Sequence, residues 1–162
     1  MKSSGERLEW ALKSCERSHM RMTSVRRAIL EFLSELRKPV NLEAVSQARG
    51  VRDECDATTV YRTLMVFKEA GLVRCVGIVG KTTHFVLNVP DDVSHFLICE
   101  ECGTVVELDV SREMLQAMEG LAVEHGFSSN GQCMDLHGLC RGCEASAQNS
   151  VKATKLLVRN GS

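Results

Sequence analysis

Between Thr23 and Leu36 the apolar residues Val25, Ala28, Ile29, Phe32, Leu33 and Leu36 recur at i, i+3, i+4, i+7, i+8 and i+11, the stripe of an amphipathic helix. Pro39 stops it, and Asn41 is placed to cap a shorter helix running to about Arg49, closed by Gly50. Asp56 or Thr58 caps a further helix that ends at Ala70 against Gly71, and residues 6–18 predict a leading helix with Leu8, Leu12 and Cys15 on one side. After Gly71 the period changes to two. VRCVGIV and THFVLNV, joined around Gly80-Lys81, read as an antiparallel hairpin with Phe85, Leu87 and Val89 on one face. Helices followed by a hairpin predict a winged helix. Pro90-Asp91-Asp92 forms a polar hinge. Beyond it the pattern reads strand (95–99), strand (104–108), helix (111–125) and strand (about 127–137). Ser111 caps that helix, Met114, Met118, Leu121 and Ala122 form its stripe, and Gly126 ends it.

The expected fold class is therefore α+β, a winged helix-turn-helix domain over residues 1–89, a hinge at 90–94 and a small α/β domain at 95–146. Residues 147–162 show no pattern and are expected to be a disordered tail.

Composition narrows the class. With 44% hydrophobic and 25% charged residues the chain is globular, and no apolar run approaches the ~20 residues that span a bilayer, so no membrane partner is expected. The start, MKSSGERLEW, has neither the apolar stretch nor the small-residue cleavage site of a secretory signal, which points to the cytoplasm and to reduced cysteines. The net charge of −1 hides a split. Residues 1–88 hold 15 Lys/Arg against 10 Asp/Glu, net +5, whereas residues 89–162 hold 5 against 11, net −6. A basic half suits a polyanion, and an acidic half would be repelled by one.

Four of the eight cysteines form two Cys-x-x-Cys pairs, Cys99/Cys102 and Cys140/Cys143. Each pair aims two thiolates at one point, and two pairs complete the closed tetrahedron that Zn²⁺ favours, a structural site with no position left for substrate. The metal would pin the two ends of a unit of about 60 residues that buries too little apolar surface to stand comfortably alone. Two other readings compete: a thioredoxin-like redox motif, which needs one pair to open a helix after a strand, and four unrelated buried cysteines. Cys15, Cys55 and Cys133 have no partner at ligand spacing.

In DATTVYRTLMVF, Ala57, Val60, Leu64 and Phe67 take the inner face, while Thr58, Tyr61, Arg62 and Met65 point outward. Thr, Tyr and Arg near the start of a helix can read a major groove, and Arg21, Arg26, Arg27 and the turn residue Lys81 can clamp phosphates. The alternative is a helical domain with a solvated polar face.

Taken in order, MRMTSVRRAIL, ATTVYRTL, FKEAGLV, HFLICEECGTVVEL and HGLCRGC resemble the ferric uptake regulator family of bacterial metal-responsive repressors, over residues 7 to 143. The resemblance implies a homodimer on double-stranded operator DNA, a C-terminal dimerisation domain, a structural Zn²⁺ on the four cysteines and a second, regulatory metal near the hinge. It makes Tyr61 and Arg62 the base-contacting pair. The family pattern also places regulatory ligands on the wing strands, before the first cysteine pair and five residues beyond it, here Cys75, His84, His95 and Glu107. Cys75 and His84 are expected to face each other across the hairpin. Iron- and peroxide-sensing relatives usually carry a His-rich tract before LIC, where this chain has VSHF; HGLCRGC and Cys75 look more like the zinc uptake regulator branch. The second ion is thus expected to be Zn²⁺, with Fe²⁺ as alternative. The expected function is metal-dependent repression of metal uptake genes, with an iron- or peroxide-responsive regulator as second reading. From another class, a zinc-stabilised interaction module would explain the cysteines and leave the basic half unexplained. No nucleophile and base pair suggests an enzyme or a small-molecule substrate.

Overall fold

The structure, a computed structural model, describes residues 2–79, 82–90, 92, 94–128 and 134–146. Lys81, Cys133 and the tail 147–162 lie outside these residues. The caps set the helix starts. Ser3 and Glu6 form a reciprocal capping box at α1 (Ser4–Arg17), Thr23 accepts from the Arg26 N–H at α2 (Ser24–Glu35), Asn41 from Ala44 at α3 (Leu42–Ser46), Asp56 from Thr59 at α4 (Ala57–Glu69) and Ser111 from Met114 at α5 (Arg112–Glu124). α3 stops at Ser46, three residues short of the expected end.

Five strands and a two-residue pairing make two sheets. In the first, β1 (Val40–Asn41), β3 (Thr82–Leu87) and β2 (Val73–Val79) lie in the order β1-β3-β2, all antiparallel. In the second, β5 (Val105–Leu108) and β6 (Asp135–Gly138) flank β4 (His95–Cys99), β5 antiparallel and β6 parallel to it. The chain reaches β6 through α5, as a parallel return requires a long connection.

The β2–β3 hairpin is covered on both faces. Phe85, Leu87 and Val89 face the helices, as expected, and join Ile29, Leu30, Leu33, Val60, Leu64 and Phe67 in the main core. The α2 contribution is rotated from the expected stripe, with Leu30 fully buried and Phe32 only half-buried, and Ala57 of α4 is exposed. On the other face Val76 and Val86 meet Phe96 and Ile98 of β4, with Val105 against them. The two halves thus share a small apolar layer.

The segment expected as a polar hinge contains a buried charge. The Asp92 side chain is 2% exposed, with Oδ1 3.0 Å from Arg37 Nη2 and 3.2 Å from the Lys2 N–H, and Oδ2 3.8 Å from Nε of the buried Arg7. By contrast the stripe of α5 is not buried by the described residues: Met114, Met118 and Leu121 are exposed, and so are Leu97, Val106 and Leu136, which the strand register aligns on one face of the second sheet. Among the described residues no helix is long and apolar enough to cross a membrane.

Phe96 is 0% exposed at the centre of the shared layer. Phe96→Ala is expected to cost about 3–5 kcal/mol in denaturant unfolding, and a loss below about 1 kcal/mol would mean that the hairpin's outer face is not packed.

Candidate metal centre and nucleic-acid interface

Each cysteine pair sits where a strand ends. β4 runs into Cys99, and the chain turns back at once: the Gly103 N–H donates to the Cys99 carbonyl (3.0 Å), the Cys99 N–H to the Thr104 carbonyl (2.9 Å), and Gly103 takes φ +74°, where a side chain would be strained. β6 pairs Gly138 with Cys99, so Cys140 arrives beside the first turn. The Cys140 N–H donates to Cys99 Sγ at 3.3 Å, and the Glu144 N–H to the Cys140 carbonyl at 2.9 Å.

Sγ atoms of Cys99, Cys102, Cys140 and Cys143 all lie within 4.8 Å of one another. Cys102 and Cys140 are 3.8 Å apart, the edge of a tetrahedron with metal–sulfur bonds of about 2.3 Å. The thiols do not ionise alike. Backbone N–H groups of Cys102 and Cys140 hold the Cys99 thiol down at about 6, and the Thr104 hydroxyl lowers Cys102. Cys143 is pushed up to about 12 by the neighbouring Cys140 and Cys102 sulfurs. Negative charge on some sulfurs opposes charge on the rest, and a divalent cation at the centre removes that opposition. The donor set and spacing therefore suit Zn²⁺.

The competing readings can now be weighed. Four scattered cysteines are excluded by the cluster. The second pair opens a short helix (141–146) after a strand, which is the placement of a redox motif. What separates it from one is Cys99 and Cys102, which complete a ligand set around the same point.

The four regulatory candidates are not brought together. The β2–β3 register sets Cys75 opposite Phe85, on the helical face of the hairpin, whereas His84 pairs with Asn41 and shares the other face with Val86. Cys75 and His84 therefore do not face each other, a correction to the sequence expectation that follows from side-chain alternation along a strand. The β4–β5 register likewise pairs His95 with Leu108 and Glu107 with Phe96, on opposite faces. His95 is buried, its Nδ1 accepting from the Met134 N–H at 2.9 Å, and its pKa is lowered by burial first and the Arg74 charge second. Glu107 Oε1 accepts from the Ser94 hydroxyl at 2.7 Å and lies 3.8 Å from Arg37 Nε. Arg37, Asp92, Arg74 and Asp135 were missed by sequence reasoning; for Arg74 the available signal was a lone charge inside the otherwise apolar strand VRCVGIV.

On α4, Thr58, Tyr61 and Arg62 are exposed, Tyr61 at 46%. Arg21 is exposed and Arg26 half-buried, and the Arg26 guanidinium donates to the Arg21 carbonyl at 2.6 Å; Arg27 lies 3.8 Å from Glu31. The expected phosphate contact Lys81 falls outside the described residues.

Replacing Cys102 by Ser is expected to abolish stoichiometric zinc retention through a mild chelator, measured by elemental analysis, whereas Cys55→Ser leaves the metal content unchanged. Equal retention in the two variants contradicts the four-sulfur site.

Comparison with known proteins agrees with this geometry. Residues 17–137 match the model of the ferric uptake regulator family. The peroxide operon regulator of Bacillus subtilis (strain 168) is 30% identical over 138 residues, 84% of this chain and 92% of the relative. A solved zinc uptake regulator complexed with zinc and DNA is 28% identical, with a TM-score of 0.54 over 91% of this chain and 99% of that one. The Helicobacter pylori ferric uptake regulator, 14% identical, shares the fold with a TM-score of 0.67 over 88% of this chain and 95% of its own. With the family model spanning most of the chain and a relative at this identity, the chain belongs to the ferric uptake regulator family of metal-responsive transcriptional regulators.

Proposed function

We propose that this chain is a zinc-responsive repressor that binds double-stranded operator DNA as a homodimer in the cytoplasm and controls metal uptake genes, with no enzymatic activity. The observation that carries the reading is the four-thiolate cluster held behind a winged helix whose Tyr61 and Arg62 stand free to meet DNA. The 28% identical zinc uptake regulator, solved with zinc and DNA, supports the choice of metal. In this reading residues 1–89 bind DNA, 90–94 form the hinge and 95–146 dimerise. The apolar sheet face of Leu97, Val106 and Leu136 and the stripe of α5 would be covered by the second copy, since an exposed patch of this kind marks an interface.

For the regulatory metal, His84 and Glu107 are the two candidates whose faces look into the layer between the sheets. Cys75 and His95 face away from it, so a site there would draw its other ligands from elsewhere. Loading it would favour the dimer geometry that fits two half-sites, and coupling of about 1–3 kcal/mol changes affinity roughly 5- to 150-fold. The second reading, an iron- or peroxide-responsive regulator, is favoured by the 30% identical Bacillus subtilis relative.

The test is a binding curve for a duplex enriched from a random pool, with zinc, with Fe²⁺ and after chelation. Zinc is expected to tighten binding, and an affinity that moves with Fe²⁺ alone, or with neither, would sink the zinc assignment. Arg62→Ala should cost about 1–3 kcal/mol and relax sequence preference, whereas Arg21→Ala should weaken all duplexes alike and flatten the salt dependence.

A further inference from the structure

Strand β6 holds on to the hairpin as well as to its own sheet. Its parallel register with β4 pairs Asp135 with Phe96 and His137 with Ile98, which puts both side chains on the face toward β2–β3. Asp135 Oδ2 forms an ion pair with Arg74 Nη1 of β2, with the two side chains only 15% and 14% exposed. The same guanidinium donates from Nη2 to the Ser94 carbonyl and lies with Cζ 5.3 Å from the Phe96 ring centroid. Two residues further, the His137 ring sits on the backbone of Gly77. A Cβ at Gly77 would come within 2.2 Å of His137 Cε1, and Gly77 has φ +69° at the irregularity that breaks the β2–β3 register between Cys75 and Ile78. Gly77 also lines one groove with Tyr61 of α4. Then, after Leu139, comes Cys140, whose N–H donates to Cys99 Sγ. Residues 135–140 therefore make two contacts with the wing and one with the metal centre.

We propose that β6 is a link between the cysteine site and the wing, and that Arg74, Asp135 and His137 are positioning residues for operator recognition. The proposal rests on the DNA-binding reading given above. A charge pair this buried is costly to break, because removing one partner leaves the other charge uncompensated in an apolar layer. The ring of His137 occupies the space that a side chain at Gly77 would fill, so the wing can slide along β6 only by losing that contact. With Cys140 fixed by metal, both contacts are held in register; with Cys140 released, the strand that presents Asp135 and His137 loses its anchored end. Packed side chains and rigid elements can carry such coupling: the β6 backbone joins Cys140 to His137, the His137 ring packs on Gly77, and Gly77 lines a groove with Tyr61.

The experiment uses the full-length, zinc-loaded chain and three variants, Asp135→Asn, His137→Ala and the charge exchange Arg74→Asp with Asp135→Arg. Amide hydrogen exchange is read separately over 73–79 and 82–87 and over 24–35, with zinc per chain and affinity for a fluorescent duplex enriched from a random pool by the wild-type protein. Expected are unchanged zinc content and unchanged exchange over 24–35, exchange about ten-fold faster over the wing in the two single variants, affinity lower by about five-fold or more, and partial recovery of both in the charge exchange. Chelating zinc from the wild type should likewise quicken exchange over the wing. Unchanged wing exchange in the single variants, acceleration spread evenly over 24–35, loss of zinc from Asp135→Asn, or a loosened wing with wild-type affinity would each overturn the proposal. If the wild type enriches no duplex, the regulator reading fails by itself, and the exchange data still decide whether β6 holds the wing.

Discussion

Four sulfur atoms brought within 4.8 Å of one another cannot all carry charge without a cation between them. The neighbouring Cys140 and Cys102 sulfurs push Cys143 upward, while backbone N–H groups of Cys102 and Cys140 pull Cys99 downward. The C-terminal half is built so that the cation closes it. Cys99 ends β4, Cys140 follows β6, and these are the strands that pair in parallel. A parallel pair needs a long return through α5, and α5 buries none of its residues against the described part of the chain. Metal ligation thus stabilises a pairing that the local apolar surface supports weakly, and ion binding contributes directly to folding.

The second consequence concerns how the halves meet. The hairpin is shared, with Phe85 and Leu87 serving the helical core and Val76 and Val86 serving the second sheet. Its outer layer is too small to rest on apolar contact alone. Charges supplement it at both margins, with Arg37, Arg7 and Asp92 on one side and Arg74 and Asp135 on the other. Such pairs contribute orientation more than net stability, because each must be desolvated to form. In the proposed function, which sets two recognition helices at a defined separation, orientation of that kind matters.

Much of the fold was legible because its signals are local. Asn41, Asp56 and Ser111 announce helix starts through a hydrogen bond to a backbone three residues on, and Gly71 and Gly126 end helices through positive φ, whereas the Ser3 cap starts α1 two residues before the expected position. The cysteine pairs were legible for the same reason, since each is a turn of four residues. What failed was long-range. β1 is two residues and exists only through its pairing with Phe85 and His84. The faces of Cys75 and His84 depend on a register that periodicity alone does not supply, and the irregularity near Gly77 shifts it again. Arg74 and Asp135 are 61 positions apart, and nothing in either strand names the other. The apolar stripe of α5 is covered by none of the described residues.

X-ray absorption at the zinc edge of the purified chain, carrying only the one zinc per chain that survives mild chelation, tests the central claim most directly. The account predicts a single shell of four sulfur scatterers at about 2.3 Å. A shell with nitrogen or oxygen in place of two or more of those sulfurs would contradict it.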